Sequence, residues 1–287
     1  MTIQDARAYL QLQLAAVYEN REAANIADWV LESLTGLSRS ARLVRQQEHL
    51  TTDQKALFDQ HLPDLLRHRP VQYVLGESWF HGLRFHVNEN VLIPRPETEE
   101  LVDWIINEHQ HQQLLRILDI GTGSGCIPIA LKKALPQATV YSCDVSAGAL
   151  EVARKNAADL EAEIHFIQQN ILDDSLWEQL PEVDLIVSNP PYIPEHNKES
   201  MHANVLEHEP HLALFVSNND PLTFYRAIAE LSGKKLKEDG DVYAEIHEDL
   251  GAATLALFQE KGFGRVTLRR DMQEKDRMIK AAGLTSR

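Results

Sequence analysis

The sequence has few cysteines and no long apolar run. Its two cysteines, Cys126 and Cys143, exclude a disulfide framework and do not supply the ligands of a cysteine-rich zinc site. No apolar stretch approaches the length that spans a membrane. The N-terminal M-T-I-Q-D-A-R lacks the basic and apolar segments of a signal peptide. We therefore expect a cytoplasmic protein that makes no membrane contact.

Positive charge is also scarce. The chain carries 28 Lys and Arg against 43 Asp and Glu, which gives a net charge of −15. Sequence-independent binding of duplex nucleic acid needs clustered Lys and Arg. We therefore expect no direct nucleic-acid partner. The 13 histidines are scattered and form no H-E-x-x-H pattern, and G-x-S-x-G is absent. We expect no bound metal and no serine nucleophile of the hydrolase type.

The patterning divides the chain into three segments. Residues 1–75 place apolar side chains at helical spacing, as in A-Y-L-Q-L-Q-L-A-A-V-Y, and predict a small helical bundle. Aromatic and β-branched residues flank the turn signal His81-Gly82, which predicts a β-hairpin linker within residues 76–95. We assign residues 96–287 to the main domain.

Strands and helices alternate in the main domain. The strand candidates are L-L-R-I-L-D-I, A-T-V-Y-S-C-D, I-H-F-I, V-D-L-I-V-S and D-V-Y-A-E-I, and helical stretches separate most of them. The final V-T-L-R-R-D-M-Q-E-K-D-R-M-I-K-A predicts two closing strands joined by a polar loop. This alternation predicts an α/β fold with a mainly parallel sheet and helices on both faces.

A glycine-rich loop follows the first strand of that sheet. It consists of Gly121, Thr122, Gly123, Ser124 and Gly125. Glycine at a strand-to-helix turn lets a ligand approach the backbone closely. An acidic residue at the end of the next strand, Asp144, can accept both ribose hydroxyls of a nucleoside. A dinucleotide-binding motif would have a third glycine at position 126, where this chain has Cys126. The G-x-G-x-G spacing instead resembles that of S-adenosylmethionine (SAM) enzymes.

The fourth strand ends in Asn189-Pro190-Pro191-Tyr192. The carboxyl ends of parallel strands meet at one edge of the sheet, so this motif should share a cleft with the glycine loop. Asn170 and Ile171 follow the third strand and should lie there too, with Ile171 as an apolar neighbour for an adenine ring.

The motif can hold a planar NH₂ group. The Asn189 oxygen can accept one N–H and the Pro190 carbonyl the other, and the second proline restrains Pro190 to an extended conformation. Tyr192 offers a flat face for stacking. We therefore predict Asn189, Pro190 and Tyr192 as catalytic residues that position an amide nitrogen for in-line attack on a sulfonium methyl.

The motif alone leaves the acceptor open. It suits a glutamine side chain, and it suits the N6 amino group of adenine in DNA or RNA equally well. The charge of −15 and the lack of a basic target-recognition domain disfavour nucleic acid. A noncatalytic SAM-binding regulator is the third alternative, but a pure binding module has no need of an amide clamp.

Five stretches resemble one known family. They are L-I-P-R-P-E-T-E at 92–99, I-L-D-I-G-T-G-S-G at 117–125, V-S-N-P-P-Y-I at 187–193, E-H-E-P at 207–210 and K-D-R-M at 275–278. Together they resemble the N5-glutamine methyltransferases of peptide chain release factors, the HemK or PrmC group. The first stretch is far more specific than N-P-P-Y, which DNA adenine methyltransferases share.

The resemblance implies a seven-stranded class I SAM-dependent methyltransferase domain, Rossmann-like, behind a helical substrate-docking domain. It implies that the 121–125 loop, Asp144, the 170–171 region and Asn189 bind SAM, with S-adenosylhomocysteine as product. The 189–192 motif would hold the glutamine of a Gly-Gly-Gln loop in the release factor, and the simplest state is a monomer. Two positions depart from the usual pattern of the family: His208 replaces an aromatic residue and Asn170 an acidic one.

Overall fold

The computed structural model describes residues 1–112 and 114–285. The chain forms two compact units, which are described separately. The first contains Met1–Glu77 together with His202–His208, and the second contains Ser78–Met201 and the chain from Glu209 onward. No helix in the described part of the chain is long and apolar enough to cross a membrane.

The first unit is built from helices, with one isolated β-bridge between Thr2 and His49. Its helices are α1 (Ile3–Leu14), α2 (Asn20–Thr35), α3 (Arg39–Val44), α4 (Thr52–Leu65), α5 (Val71–Leu75) and the later α9 (Ala203–His208). Thr51 caps α4 through a reciprocal capping box with Gln54. Leu10, Val30 and Phe58 belong to its buried apolar core. The predicted bundle is therefore present, and the inclusion of α9 had no signal in the sequence.

The second unit is built on a seven-stranded sheet with the order β10-β11-β9-β6-β3-β4-β5. The strands are β3 (Arg116–Ile120), β4 (Thr139–Asp144), β5 (Ile164–Gln168), β6 (Val183–Ser188), β9 (Leu236–Glu245), β10 (Phe263–Arg270) and β11 (Asp276–Leu284). β5, β4, β3, β6 and β9 run parallel, and β11 joins β9 and β10 in antiparallel pairings. The predicted α/β class and the two closing strands are confirmed.

Helices cover both faces of this sheet. They are α6 (Pro96–His109), α7 (Cys126–Ala134), α8 (Ala147–Asp159), α11 (Thr223–Lys235) and α12 (Gly251–Glu260). The short α10 (His211–Leu214) also belongs to this unit and borders the cavity described below. Successive residues of a strand alternate between the faces. Thus Ile117 packs in the core that contains α6 and α7 residues, whereas Leu118 packs in the core that contains α11 and α12 residues. The parallel strands are thus packed between two apolar cores.

Two short pairings lie outside the main sheet. β1 (Glu77–Phe80) and β2 (Leu83–His86) form the predicted hairpin, and β7 (Ile193–Pro194) pairs with β8 (Phe215–Val216). α6 begins with Pro96 in its first turn, where the missing N–H costs no helical hydrogen bond. The helix start brings Thr98 to the carboxyl end of the sheet.

Candidate active site

A cavity of about 280 Å³ lies at the carboxyl ends of the parallel strands. The predicted site residues that line it are Gly121, Thr122, Gly123, Ser124, Asp144, Asn170, Ile171, Asn189, Pro190 and Pro191. The structure therefore brings the ends of four strands, β3, β4, β5 and β6, to one cavity. Gly125 and Tyr192 are not among the residues that line it, and each has a different place in the structure.

The glycine loop turns through left-handed backbone conformations. Gly121, Gly123 and Gly125 have φ values of 82°, 52° and 81°, which only glycine adopts without strain. A Cβ on Gly125 would lie 3.1 Å from Ile129 Cδ1 and 3.2 Å from Ala153 Cβ. Gly125 therefore packs the loop against α7 and α8, whereas Gly121 and Gly123 border the cavity.

Asp144 ends β4 beside this loop. Its Oδ2 accepts the Gly123 N–H at 3.0 Å and its Oδ1 accepts the Ser146 N–H at 2.8 Å. Burial raises the pKa of the Asp144 carboxyl, and these amide donors oppose that rise. Each carboxylate oxygen keeps a second lone pair, so the fixed carboxylate can still accept two hydroxyls of a ligand.

Asp119 is a buried acid that the sequence prediction did not include. Its Oδ2 accepts the Ser142 hydroxyl at 2.6 Å and the Thr122 hydroxyl at 3.3 Å, and Thr122 and Ser142 also contact each other. Its Oδ1 has no partner among the described residues. Burial raises the pKa of Asp119 to about 7. Asp119 thus connects Thr122 of the glycine loop to Ser142 of β4 through hydrogen bonds.

Asn170 and Ile171 lie at the end of β5. Asn170 is exposed, and its Oδ1 accepts the Leu172 N–H at 3.0 Å in a local turn. Ile171 is buried, and its carbonyl accepts the Trp177 indole N–H at 2.9 Å. The turn presents one polar and one apolar residue side by side on the cavity wall.

The Asn-Pro-Pro-Tyr motif continues from the end of β6. A Cβ on Gly121 would lie 3.8 Å from the Asn189 carbonyl oxygen, so the motif and the glycine loop are in contact range. Asn189 Nδ2 donates to Thr98 Oγ1 at 3.1 Å. The Tyr192 hydroxyl points the other way and donates to Glu245 Oε1 at 2.9 Å. Asn189 and Pro190 line the cavity. Tyr192 instead fixes the motif to β9 through its hydrogen bond to Glu245.

Glu245 ends β9 and is 1% exposed. Its Oε2 accepts the Thr98 hydroxyl at 2.5 Å. Burial raises the pKa of Glu245, while the hydrogen bonds from Thr98 and Tyr192 and the charge of Arg277 lower it. Neither Thr98 nor Glu245 was given a role from the sequence, although Glu245 is a lone acid at the end of an otherwise apolar run.

Arg95 and Glu209 connect two of the stretches quoted above. Arg95 Nη2 lies 2.6 Å from Glu209 Oε1, and the Ile93 N–H donates to Glu209 Oε2 at 3.3 Å. Arg95 also lines the cavity. The I-P-R-P and E-H-E-P stretches thus form one wall. His208 does not belong to this wall, since its Nε2 lies 3.3 Å from the Arg67 carbonyl within the first unit.

Other reactive groups have structural roles. Cys126 and Cys143 are buried, and burial raises the pKa of Cys126 to about 12, so its thiol stays protonated at neutral pH. Away from the cavity, Glu108, His109 and Asp241 converge within 4.8 Å. Lys280 contacts both carboxylates and offsets part of their charge.

Comparison with known proteins gives a consistent result. The pattern described as PrmC N-terminal domain matches residues 5–76, and that described as Methyltransferase small domain matches residues 99–213. The release factor glutamine methyltransferase of Flavobacterium psychrophilum is 46% identical over 98% of this chain and 99% of its own length. That of Bacteroides thetaiotaomicron is 38% identical over 96% and 98%.

Among solved structures, the human methyltransferase 10 domain containing protein superposes with a TM-score of 0.51 at 20% identity, over 71% of this chain and 90% of that one. This likeness supports the methyltransferase fold. The full-length identity to the two bacterial enzymes decides the family: the chain belongs to the release factor glutamine methyltransferases.

Proposed function

We propose that this protein transfers a methyl group from SAM to the side-chain amide nitrogen, N5, of the glutamine in the Gly-Gly-Gln motif of peptide chain release factors. The observation that carries this proposal is one cavity lined by the glycine loop, Asp144 and Asn189-Pro190. A carboxylate suited to ribose hydroxyls and a motif suited to an amide NH₂ group thus lie around a shared space. Family membership supports the same chemistry.

The residues present fit SAM. The left-handed glycines keep the cavity edge free of Cβ atoms, and Asp144 is held by two backbone amides so that its outer lone pairs can accept ribose hydroxyls. Asn170 and Ile171 would border the adenine ring. When bound, SAM supplies an electrophilic methyl group on a sulfonium sulfur.

The acceptor nitrogen would be held by Asn189 and Pro190. An amide nitrogen is a poor nucleophile because its lone pair is delocalised into the carbonyl. Two acceptors, Asn189 Oδ1 and the Pro190 carbonyl, would fix both N–H groups and favour electron density on nitrogen. Most of the rate gain would come from this orientation. Pro191 restrains Pro190, and Tyr192 secures the motif through Glu245.

The helical unit is proposed to dock the release factor. We keep residues 1–75 as this docking domain, 76–95 as the hairpin linker and 96–287 as the catalytic domain. We also infer a monomer that acts in the cytoplasm without direct nucleic-acid contact, which agrees with the net charge of −15.

The test is Asn189→Ala, assayed with isotopically labelled SAM and a release factor. Removing the clamp should reduce turnover at least about 100-fold, while the Kd for SAM, measured by calorimetry, should stay within about threefold of the wild-type value. Oligonucleotides serve as the competing acceptor. Unchanged turnover in the variant, or wild-type label on adenine, would overturn the proposal.

A further inference from the structure

A chain of three hydrogen bonds begins at the buried carboxylate of Glu245. Each of its oxygens faces one hydroxyl: Oε2 faces Thr98 at 2.5 Å and Oε1 faces Tyr192 at 2.9 Å. Thr98 Oγ1 in turn lies 3.1 Å from Asn189 Nδ2. Glu245, Thr98 and Asn189 come from β9, α6 and the end of β6, so three elements meet in this chain.

The direction of each hydrogen bond follows from counting protons. The Thr98 and Tyr192 hydroxyls and the charge of Arg277 favour the ionised form of Glu245 against its burial. An ionised carboxylate can only accept, and both of its oxygens here face hydroxyl donors. The single Thr98 proton is therefore directed to Glu245. Thr98 Oγ1 then has only lone pairs to offer Asn189, so the nearby atom of the carboxamide must be its NH₂ group. The opposite orientation would place two acceptor oxygens against each other.

Because the NH₂ group of Asn189 faces Thr98, the Asn189 Oδ1 atom points away from Thr98. No residue in 1–112 or 114–285 donates a hydrogen bond to that oxygen, and Asn189 lines the cavity. The oxygen is thus available to a ligand. A carboxamide without such a constraint exchanges its oxygen and nitrogen by rotation about its last bond, since the two ends have nearly the same shape.

We propose that Thr98 and Glu245 are positioning residues that hold the Asn189 oxygen toward the acceptor and thereby select an N–H donor over a carboxylate. This inference rests on the proposed function and extends it to substrate selection. A glutamine side chain meets two acceptors, Asn189 Oδ1 and the Pro190 carbonyl. A glutamate in its place meets the same two acceptors and is repelled.

The test compares Thr98→Val with Thr98→Ser. Valine keeps the shape of threonine but removes the hydroxyl, so Asn189 can rotate; serine keeps the hydroxyl. We expect Thr98→Val to lower kcat about tenfold or more, consistent with the loss of an orienting hydrogen bond, with the KM for SAM within about twofold. Thr98→Ser should recover most of the lost kcat.

A second readout distinguishes orientation from packing. Binding is measured for a release factor carrying Gly-Gly-Gln and for its Gly-Gly-Glu variant. The wild type should prefer the glutamine form by about tenfold, and Thr98→Val should reduce this ratio to about twofold or less.

Tyr225→Phe is the matched control. Tyr225 is fully buried and donates to the Glu245 main-chain carbonyl at 2.9 Å, not to the carboxylate. It should keep the glutamine preference. The inference is overturned if Thr98→Val retains wild-type kcat and preference, or if Tyr225→Phe loses both equally. If the wild type methylates no release factor, the proposed function fails instead, so the two failures are distinguishable.

Discussion

Asp119 gives a pH-dependent stability that can be calculated. Its pKa rises from 3.8 to about 7 in the folded protein because the side chain is buried. The folded state therefore retains a proton in a pH range where the unfolded chain has lost it. Stability from this group is fully present below pH 3.8 and is lost as pH rises through about 7.

The magnitude follows from the pKa difference. One pKa unit corresponds to about 1.4 kcal/mol, and integration between pH 5 and pH 8 gives a loss of about 2.5 kcal/mol in the free energy of unfolding. Asp119→Asn cannot ionise, so it should show no such loss. The stability of the wild type relative to Asp119→Asn should therefore fall by about 2.5 kcal/mol over this range.

Urea unfolding followed by tryptophan fluorescence measures this difference. A Trp29→Phe background removes the tryptophan of the first unit and leaves Trp79, Trp104 and Trp177 in the second. Asp174→Asn makes the same substitution at an exposed position and is the control. A wild-type minus Asp119→Asn difference that is constant, or that grows with pH, would refute the reasoning.

Two further predictions concern the glycine loop and Asp144 beside it. Asp144→Ala should weaken SAM binding by about 10- to 100-fold, as two charge-assisted hydrogen bonds are lost, and calorimetry would show this; an unchanged Kd would exclude Asp144 as the ribose ligand. Gly121→Ala and Gly125→Ala both place alanine at positive φ, at a cost of about 1–2 kcal/mol. Only Gly125→Ala also meets Ile129 and Ala153 closely. Chemical denaturation should therefore show a larger loss for Gly125→Ala, and equal losses would contradict the packing role assigned to Gly125.

The parallel topology explains why much of the cavity was predictable. Once the alternating pattern indicates a doubly wound sheet, residues that follow strands must meet at one edge. Gly121, Asp144, Asn170 and Asn189 do line one cavity as expected. Their positions depend on local strand ends, which the sequence marks clearly.

The hydrogen-bond chain behind the cavity could not be predicted in the same way. Thr98 lies in a helix start and Glu245 at the end of β9, 147 positions apart, and only the folded sheet brings them together. Tyr192 is predicted to offer its face to the substrate, and its hydroxyl also donates to Glu245, a contact that the sequence did not indicate. The sequence contains one sign of each buried acid. Asp119 lies within an apolar strand and Glu245 at the end of one, and a buried acidic side chain needs hydrogen-bond partners.

The central claim is that the methyl group reaches the glutamine nitrogen. The protein should be incubated with deuterated-methyl SAM and a release factor, and the product analysed by tandem mass spectrometry. We expect one labelled methyl on the side-chain nitrogen of the glutamine in Gly-Gly-Gln, and none on the Gly-Gly-Glu variant. Label on another residue, or equal labelling of both proteins, would contradict it.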